Sequence, residues 1–309
     1  MAVRPPLRYP GGKWKALDLI LPLIPDNIED WREPFFGGGS VTLGYIQSNK
    51  FTAKRLIVGD ISPEVWAFWQ GTKLYPDEVA RLVKAWFTEK ASHQLKLSEM
   101  SPFDGNYKEV EQQAIEEAKA LWTWLTTVDT SSMNLAERAA RLFLVNRISF
   151  SGMGDSGSLS KDQFMEFKLT DADRILEVAP LIQNVEILHA SFEVTMADVD
   201  PEKSFVFLDP PYITQEKSGL YGRNGDTHIG FPHEKLAKLC RELPCKWLMT
   251  LDDSLKARRL YRGLYIKPFR LTYTLAGKTA EDALAGEEIF IANYEIVEEE
   301  GYDILNSIL

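Results

Sequence analysis

Two apolar patterns divide this chain. Short unbroken apolar runs occur in Arg55-Leu56-Ile57-Val58-Gly59-Asp60, in Ser204-Phe205-Val206-Phe207-Leu208 and in Lys246-Trp247-Leu248-Met249-Thr250-Leu251. Runs of this kind suit strands buried on both faces of a parallel sheet. Asn184 to Phe192 reads as a further strand, and Trp31 to Phe36 as the first. Between about Glu64 and Val145 the pattern changes to helical spacing: Val79, Leu82, Val83 and Trp86, then Ala114 to Leu125, then Leu135 to Val145. With no strand signal there, the stretch predicts a helical insertion between strands of one sheet. Helices are also predicted over Trp14–Leu23, broken by Pro22 and Pro25, and over Glu234–Leu243. Leu264 to Tyr273 and Glu288 to Tyr294 alternate and predict an antiparallel pair at the sheet edge. The expectation is an α/β fold with a mostly parallel sheet.

The ends of the predicted strands carry the chemistry. Phe205-Val206-Phe207-Leu208 runs straight into Asp209-Pro210-Pro211-Tyr212. Neither proline can continue a ladder and each restricts the residue before it, so the strand must stop at about Asp209. The product is a rigid corner presenting a carboxylate, carbonyls and an aromatic face at the sheet edge where α/β proteins bind ligands. Upstream, Trp31-Arg32-Glu33-Pro34-Phe35-Phe36 leads into Gly37-Gly38-Gly39-Ser40 and a helical pattern. That arrangement lets a nucleotide-like ligand approach backbone closely. It is not a G-x-G-x-x-G fingerprint, since Gly44 lies too far on. Asp60 ends the next strand, placed to accept a ribose's hydroxyls or to cap the helix starting near Pro63. Tyr9-Pro10-Gly11-Gly12-Lys13 is a turn that sets Lys13 at a helix entrance, without the spacing of a P-loop. Asn146-Arg147-Ile148-Ser149-Phe150-Ser151-Gly152-Met153-Gly154 and the residues to Ser158 form a glycine- and serine-rich loop suited to recognition. Ile213 to Pro232 reads as a long, glycine-containing lid.

Composition changes this picture in one respect. The 309 residues carry a formal charge of −10, which by itself argues against a polyanionic partner. The charge is unevenly placed, however. Residues 1–17 hold Arg4, Arg8, Lys13 and Lys15, and residues 254–280 hold Lys256, Arg258, Arg259, Arg262, Lys267, Arg270 and Lys278, with no acid in either stretch. Two basic segments therefore flank the ligand-binding sheet edge. Cys240 and Cys245 make no disulfide framework, and His93, His189, His228 and His233 lack metal-site spacing, so no metal is expected. No apolar run approaches a membrane span and no signal-peptide core is evident, which leads us to expect a reducing, cytoplasmic setting.

Tyr9-Pro10-Gly11-Gly12-Lys13, Glu33-Pro34-Phe35-Phe36-Gly37-Gly38-Gly39-Ser40, Asp60, Asn146-Arg147 with Phe150-Ser151-Gly152, Asp209-Pro210-Pro211-Tyr212 and Ile291-Ala292-Asn293-Tyr294 stand in this order. The set strongly resembles the class α (Dam-like, D12-type) DNA adenine-N6 methyltransferases. That resemblance implies a Rossmann-like, mostly parallel seven-stranded sheet with an antiparallel edge strand. Residues 1–61 and 169–309 would form the catalytic domain and residues 62–168 a helical target-recognition insertion. S-adenosylmethionine is the implied methyl donor, lined by Tyr9, Lys13, Phe36, Gly37, Gly39, Ser40, Asp60 and Asp209, with Ser191 and Phe192 beside its adenine. Double-stranded DNA is the implied partner, contacted by Arg8, Asn146, Arg147, Phe150, Ser151, Met153 and Lys278. Lys13 faces either cofactor or DNA. A cognate restriction endonuclease is a further partner that such enzymes can have, in a bacterial or phage-infected cell.

The resemblance gives the corner a task. Adenine's N6 lone pair is delocalised into the ring, so the amine is a poor nucleophile. Asp209 and the Pro210 carbonyl can accept its N–H groups and aim the lone pair at the methyl, Pro211 keeps the corner rigid, and Tyr212 offers a stacking face to a flipped base. No covalent nucleophile or metal is required, only in-line placement. The recognition loop departs from the pattern of GATC-reading members, which resembles Asn-Arg-aromatic-x-Tyr-Asn-Gly before a basic hairpin whose Arg reads guanine. Phe150 and Ser151 occupy the Tyr and Asn positions, and the expected Arg falls near Asp155. An Asp cannot make the bidentate contact to guanine, so GATC does not carry over. Two alternatives are an RNA adenine-N6 methyltransferase and a non-catalytic DNA-binding protein on the same fold.

Overall fold

A computed structural model describes residues 2–152, 157–215, 230–273 and 284–296. Met153, Asp155, Lys278 and most of the expected lid fall outside the described residues.

The strands are β1 (Asp30–Glu33), β2 (Arg55–Asp60), β3 (Val185–His189), β4 (Ser204–Leu208), β5 (Lys246–Asp252), β6 (Tyr265–Tyr273) and β7 (Leu284–Ala292). They form one seven-stranded sheet in the order β3-β2-β1-β4-β5-β7-β6. β1 to β5 pair in parallel, and β7 runs antiparallel to both β5 and β6. The antiparallel pairing is confined to one edge, as the alternating stretches imply. β4 and β1, whose neighbours continue outward in opposite directions, sit side by side at the switch point where such sheets bind ligands.

The helices are α1 (Leu17–Ile20), α2 (Ser40–Ile46), α3 (Pro63–Leu74), α4 (Pro76–Lys90), α5 (Ser92–Leu97), α6 (Tyr107–Thr127), α7 (Leu135–Ile148), α8 (Lys161–Glu166), α9 (Asp173–Val178), α10 (Phe192–Thr195), α11 (His233–Glu242) and α12 (Leu255–Leu260). None is long and apolar enough to cross a membrane.

The unbroken apolar runs are explained by two cores. On β4, Phe205 and Phe207 join one core while Val206 and Leu208 join the other. On β5, Leu248 goes to the first and Trp247, Met249 and Leu251 to the second. The first core continues through α3, α4, α6 and α7, and the second is closed by α11 and α12. The helical segment therefore shares the sheet's core on one face. α3 lies directly on β2 and β3 and packs along α7. Glu64 of α3 receives Arg138 at 3.0 Å and Arg141 at 3.6 Å from α7.

Several boundaries differ from the sequence expectation. β1 stops at Glu33 because Pro34 cannot donate to the ladder. β3 stops at His189, and Ser191 precedes α10 instead of extending the strand. The stretch expected to be one helix from Trp14 to Leu23 is a 3₁₀ turn, α1 and a second 3₁₀ turn, with Pro22 inside the last.

Trp31 anchors the middle of the sheet. Its fully buried ring stacks on Tyr45 at 4.3 Å and lies against Phe205 and Phe207. Its Nε1 donates to the Thr42 hydroxyl at 2.7 Å. Trp31→Ala is expected to cost about 3–5 kcal/mol, read as a lower urea midpoint at an unchanged denaturant slope.

Candidate active site

The carboxyl ends of β1, β2 and β4 meet the N-terminal turn. After β1, the chain turns through Gly37 (φ +45°) and Gly39 (φ +71°), a left-handed conformation that side chains rarely adopt. A Cβ on Gly39 would lie 2.7 Å from Trp69, and one on Gly37 would lie 2.8 Å from the Tyr9 ring. The turn is thus clasped from both sides. Trp69 of α3 donates from Nε1 to the Gly37 carbonyl at 2.8 Å, with its ring 4.7 Å from that of Phe36. Ser40, the first residue of α2, is buried beneath Gly12.

Asp60 closes the same turn from β2. One carboxylate oxygen accepts the Gly37 N–H at 2.9 Å and the other the Ser62 N–H at 2.8 Å. The N-cap of α3 is Ser62, not Asp60, because the Ser62 hydroxyl reaches Val65 N. Burial pushes the Asp60 carboxyl up to about 6, against the two N–H bonds and His189. Asp60 pairs in register with His189, so Ser191 and Phe192 follow immediately beside it. There Phe192, Phe35 and Phe231 form an aromatic cluster with ring centroids 5.7 to 5.8 Å apart.

The Asp209 corner ends β4. The buried Lys13 ammonium, 2% exposed, lies 2.8 and 3.0 Å from the two Asp209 oxygens and donates to the Gly11 carbonyl at 2.6 Å. Thr250 of β5 donates to Asp209 Oδ1 at 2.7 Å. Lys13 also stands 5.0 Å from the centre of the Tyr212 ring, a cation–π distance. Lys13 therefore faces the corner. The Tyr212 hydroxyl donates to Glu288 of β7. The following amides, Ile213 N and Thr214 N, are held by Asp252 at 2.7 and 3.2 Å.

Of the residues expected to meet DNA, Arg8 and Asn146 turn inward. The Asn146 side chain accepts Arg8 N at 2.9 Å and donates to Arg8 O at 2.6 Å and Gly152 O at 2.8 Å. The Arg8 guanidinium donates to the carbonyls of Asn146, Arg147 and Ser149 at the end of α7. Burial, then Arg147, lowers its pKa to about 10. These two residues tie the N-terminal segment to the loop after α7. Arg147 is ion-paired with Asp171 at 2.8 Å. Phe150 is different: its ring is 44% exposed. It sits where Phe150 N bonds Ser158 O at 2.8 Å and a bridge joins Ser149 to Leu159, closing the loop's stem. Ser151 lies in the same 3₁₀ turn, Phe150–Gly152.

The matching sequences agree with this geometry. Residues 9–275 match the family of D12 class N6 adenine-specific DNA methyltransferases. The chain belongs to that family. It is 25% identical to the type II methyltransferase M.MjaIII of Methanocaldococcus jannaschii, across 95% of this chain and 100% of that protein. It is 23% identical to the type II methyltransferase M1.LlaDCHI of Lactococcus lactis, across 94% and 96%. With a DNA adenine methylase of Vibrio cholerae it shares 25% identity across 90% and 93%. The protein is thus a DNA adenine-N6 methyltransferase, and the α/β fold and family read from the motifs both hold.

Five residues around this candidate site escaped the sequence reading. Trp69 looked like an ordinary core aromatic, and Thr250 and Asp252 lay in a strand end with no motif. Glu288 had one signal, an acid opening an otherwise apolar strand. Glu33 stood inside a motif without a role. It is buried beneath the site and accepts Thr42 N at 3.0 Å and the Thr42 hydroxyl. Burial pushes its carboxyl up to about 8, against the Thr42 bonds and with a smaller push from Asp209.

A carboxyl whose folded pKa is raised binds more protons in the native than in the unfolded state between the two values. The Glu33 contribution to stability must therefore fall as pH rises from the ordinary 4.5 to about 8 and change no further above that. Urea midpoints at pH 5 and pH 8 should show the wild type losing up to ~1.4 kcal/mol per pH unit more than Glu33→Gln across that window.

Proposed function

We propose that this methyltransferase transfers a methyl group from S-adenosylmethionine to the N6 amine of an adenine extruded from duplex DNA. The Asp209 corner carries the reading. Its carboxylate is 22% exposed, so a substrate can reach it, while Lys13 and Thr250 fix its orientation from the buried side. Asp209 Oδ2 and the Pro210 carbonyl accept the two amine hydrogens, which draws the nitrogen toward tetrahedral geometry. Tyr212 supplies the stacking face. Flipping a base costs about a few kcal/mol, and stacking worth ~1–3 kcal/mol helps offset that.

The residues present fit the cofactor. Asp60 is a half-buried carboxylate with two N–H donors and a raised pKa, the condition of an acid short of donors, and a ribose diol supplies two more. Phe192, Phe35 and Phe231 offer apolar surface for a purine beside it. Gly37 and Gly38 leave bare backbone against Tyr9, and Gly39 does so against Trp69 and Phe36, with Ser40 following at the start of α2. When bound, S-adenosylmethionine supplies an electrophilic methyl on a sulfonium. Lys13 acts on this site through Asp209, fixing the carboxylate in place.

We assign target recognition to the helical segment 62–168, with Phe150 as the residue that enters the duplex, Ser151 and Met153 beside it, and Arg8, Asn146 and Arg147 holding the loop. Lys278, in the basic stretch on the other flank, is proposed as a backbone contact. The GATC target of the family pattern is not carried over to this chain, because the sequence has an acid, Asp155, near the position of the guanine-reading Arg.

With labelled S-adenosylmethionine and adenine-containing duplexes, label should appear on N6, and Asp209→Ala should reduce transfer at least a thousandfold. Normal turnover by that variant would refute the mechanism. Calorimetric titration gives a separate test of Asp60. Cofactor affinity should fall as pH drops through about 6, as the carboxylate loses its acceptor capacity. Asp60→Asn should bind roughly 10–100-fold more weakly, the worth of a hydrogen bond to a charged group, with little pH dependence left.

A further inference from the structure

Glu288 lies outside every motif, yet it is 1% exposed and opens onto the same sheet edge as the catalytic corner. In the strand order β4-β5-β7 it stands beside Asp252, its partner in register across β5. These two acids clamp the segment that follows β4 at successive points. Asp252 holds Ile213 N and Thr214 N, and Glu288 accepts the Tyr212 hydroxyl. Glu288 also stands 3.9 Å from Lys13, which lies against the Tyr212 ring. Burial pushes the Glu288 carboxyl up, aided by Asp209 and Asp252 and opposed by Lys13 and Tyr212. A buried acid shares the ammonium that Asp209 uses, and it is joined to the aromatic ring of the corner.

We propose that Glu288 is a positioning residue for methyl transfer, accepting the Tyr212 hydroxyl so that the ring on which the target adenine stacks is held in one plane. The inference rests on the reading of the Asp209 corner as catalytic. A tyrosine at the end of a strand can turn about its side-chain bonds. Tethered at its hydroxyl and flanked on one side by Lys13, it presents the opposite face in a single orientation. The adenine amine is then delivered to Asp209 and Pro210 at a set angle, and a misplaced base lowers the rate of the chemical step more than binding. Glu288 does this without contact with either substrate.

The test uses the full-length enzyme with S-adenosylmethionine and a duplex carrying its own methylation site, located by sequencing methylated adenines in DNA from expressing cells. Tyr212→Phe and Glu288→Met each remove the tether, and each should lower kcat about tenfold or more. The Kd for S-adenosylmethionine should stay within about twofold. Glu288→Gln keeps an oxygen acceptor and should stay within about threefold of wild type. The double variant Tyr212→Phe/Glu288→Met should be no slower than the slower single one. With 2-aminopurine at the target position, the quenching of the flipped base on Tyr212 should weaken in both tether variants and persist in Glu288→Gln. Wild-type kcat in Glu288→Met would overturn the proposal. So would a loss in Glu288→Gln as large as in Glu288→Met, which would make charge the cause, or losses that multiply in the double variant. If Glu288→Met does not fold, Tyr212→Phe and Glu288→Gln decide between the same outcomes. Asp209→Ala, run alongside, separates the two levels: its activity would refute the catalytic reading itself, whereas its inactivity beside an active Tyr212→Phe would refute only the tether.

Discussion

The ammonium of Lys13 is the point on which the site depends. It is almost wholly buried, paired with Asp209 at the open edge of the sheet and bonded to Gly11 O behind. Removing two charges from water costs several kcal/mol per ion, and the pair is sustained only when its remaining hydrogen bonds are satisfied. Thr250 and Gly11 provide these. The arrangement is a poor way to gain stability and a good way to hold one partly exposed carboxylate in a fixed orientation.

The same short N-terminal segment reaches every other working part. Arg8 is locked by Asn146 to the end of α7 and to Gly152 in the loop that follows it. Tyr9 lies on the glycine turn at Gly37 and Gly38. Lys13 ends the segment on Asp209. A strap of neighbouring residues thus spans the loop after α7, the glycine turn and Asp209, and a shift of one is felt by the others through contacts of a few ångströms. Trp69 adds a second connection, from α3 to the Gly37 carbonyl. The helical segment is therefore tied to the glycine turn as well as packed on the sheet.

Around this strap the fold buries more acid than packing requires. Asp60 is held near 6, Glu33 near 8, and Glu288 above its ordinary range. Each is desolvated at the carboxyl edge of the sheet, and perturbed acids of this kind gather at functional sites. Their cost to the folded state is offset by the two continuous cores on either side of β4 and β5. Function is placed where the sheet ends, and stability is supplied by its middle.

How far the sequence reached follows from how local each determinant is. Strands buried on both faces leave unbroken apolar runs, prolines end a ladder wherever they fall, and glycines mark left-handed turns, so β4, its Asp209 corner, the turn at Gly37 to Gly39 and Asp60 were all legible from neighbouring residues. Strand ends were less so: β3 stops at His189 because α10 begins, which no pattern within the strand announces. Partners were not legible at all. That Arg8 would spend its guanidinium on the carbonyls of α7, that Lys13 would turn to Asp209, and that Glu288 would meet Tyr212 are matters of which chain segments the sheet order brings together. A side chain's type states what it can bond, and only the tertiary structure decides which long-range neighbour takes the bond.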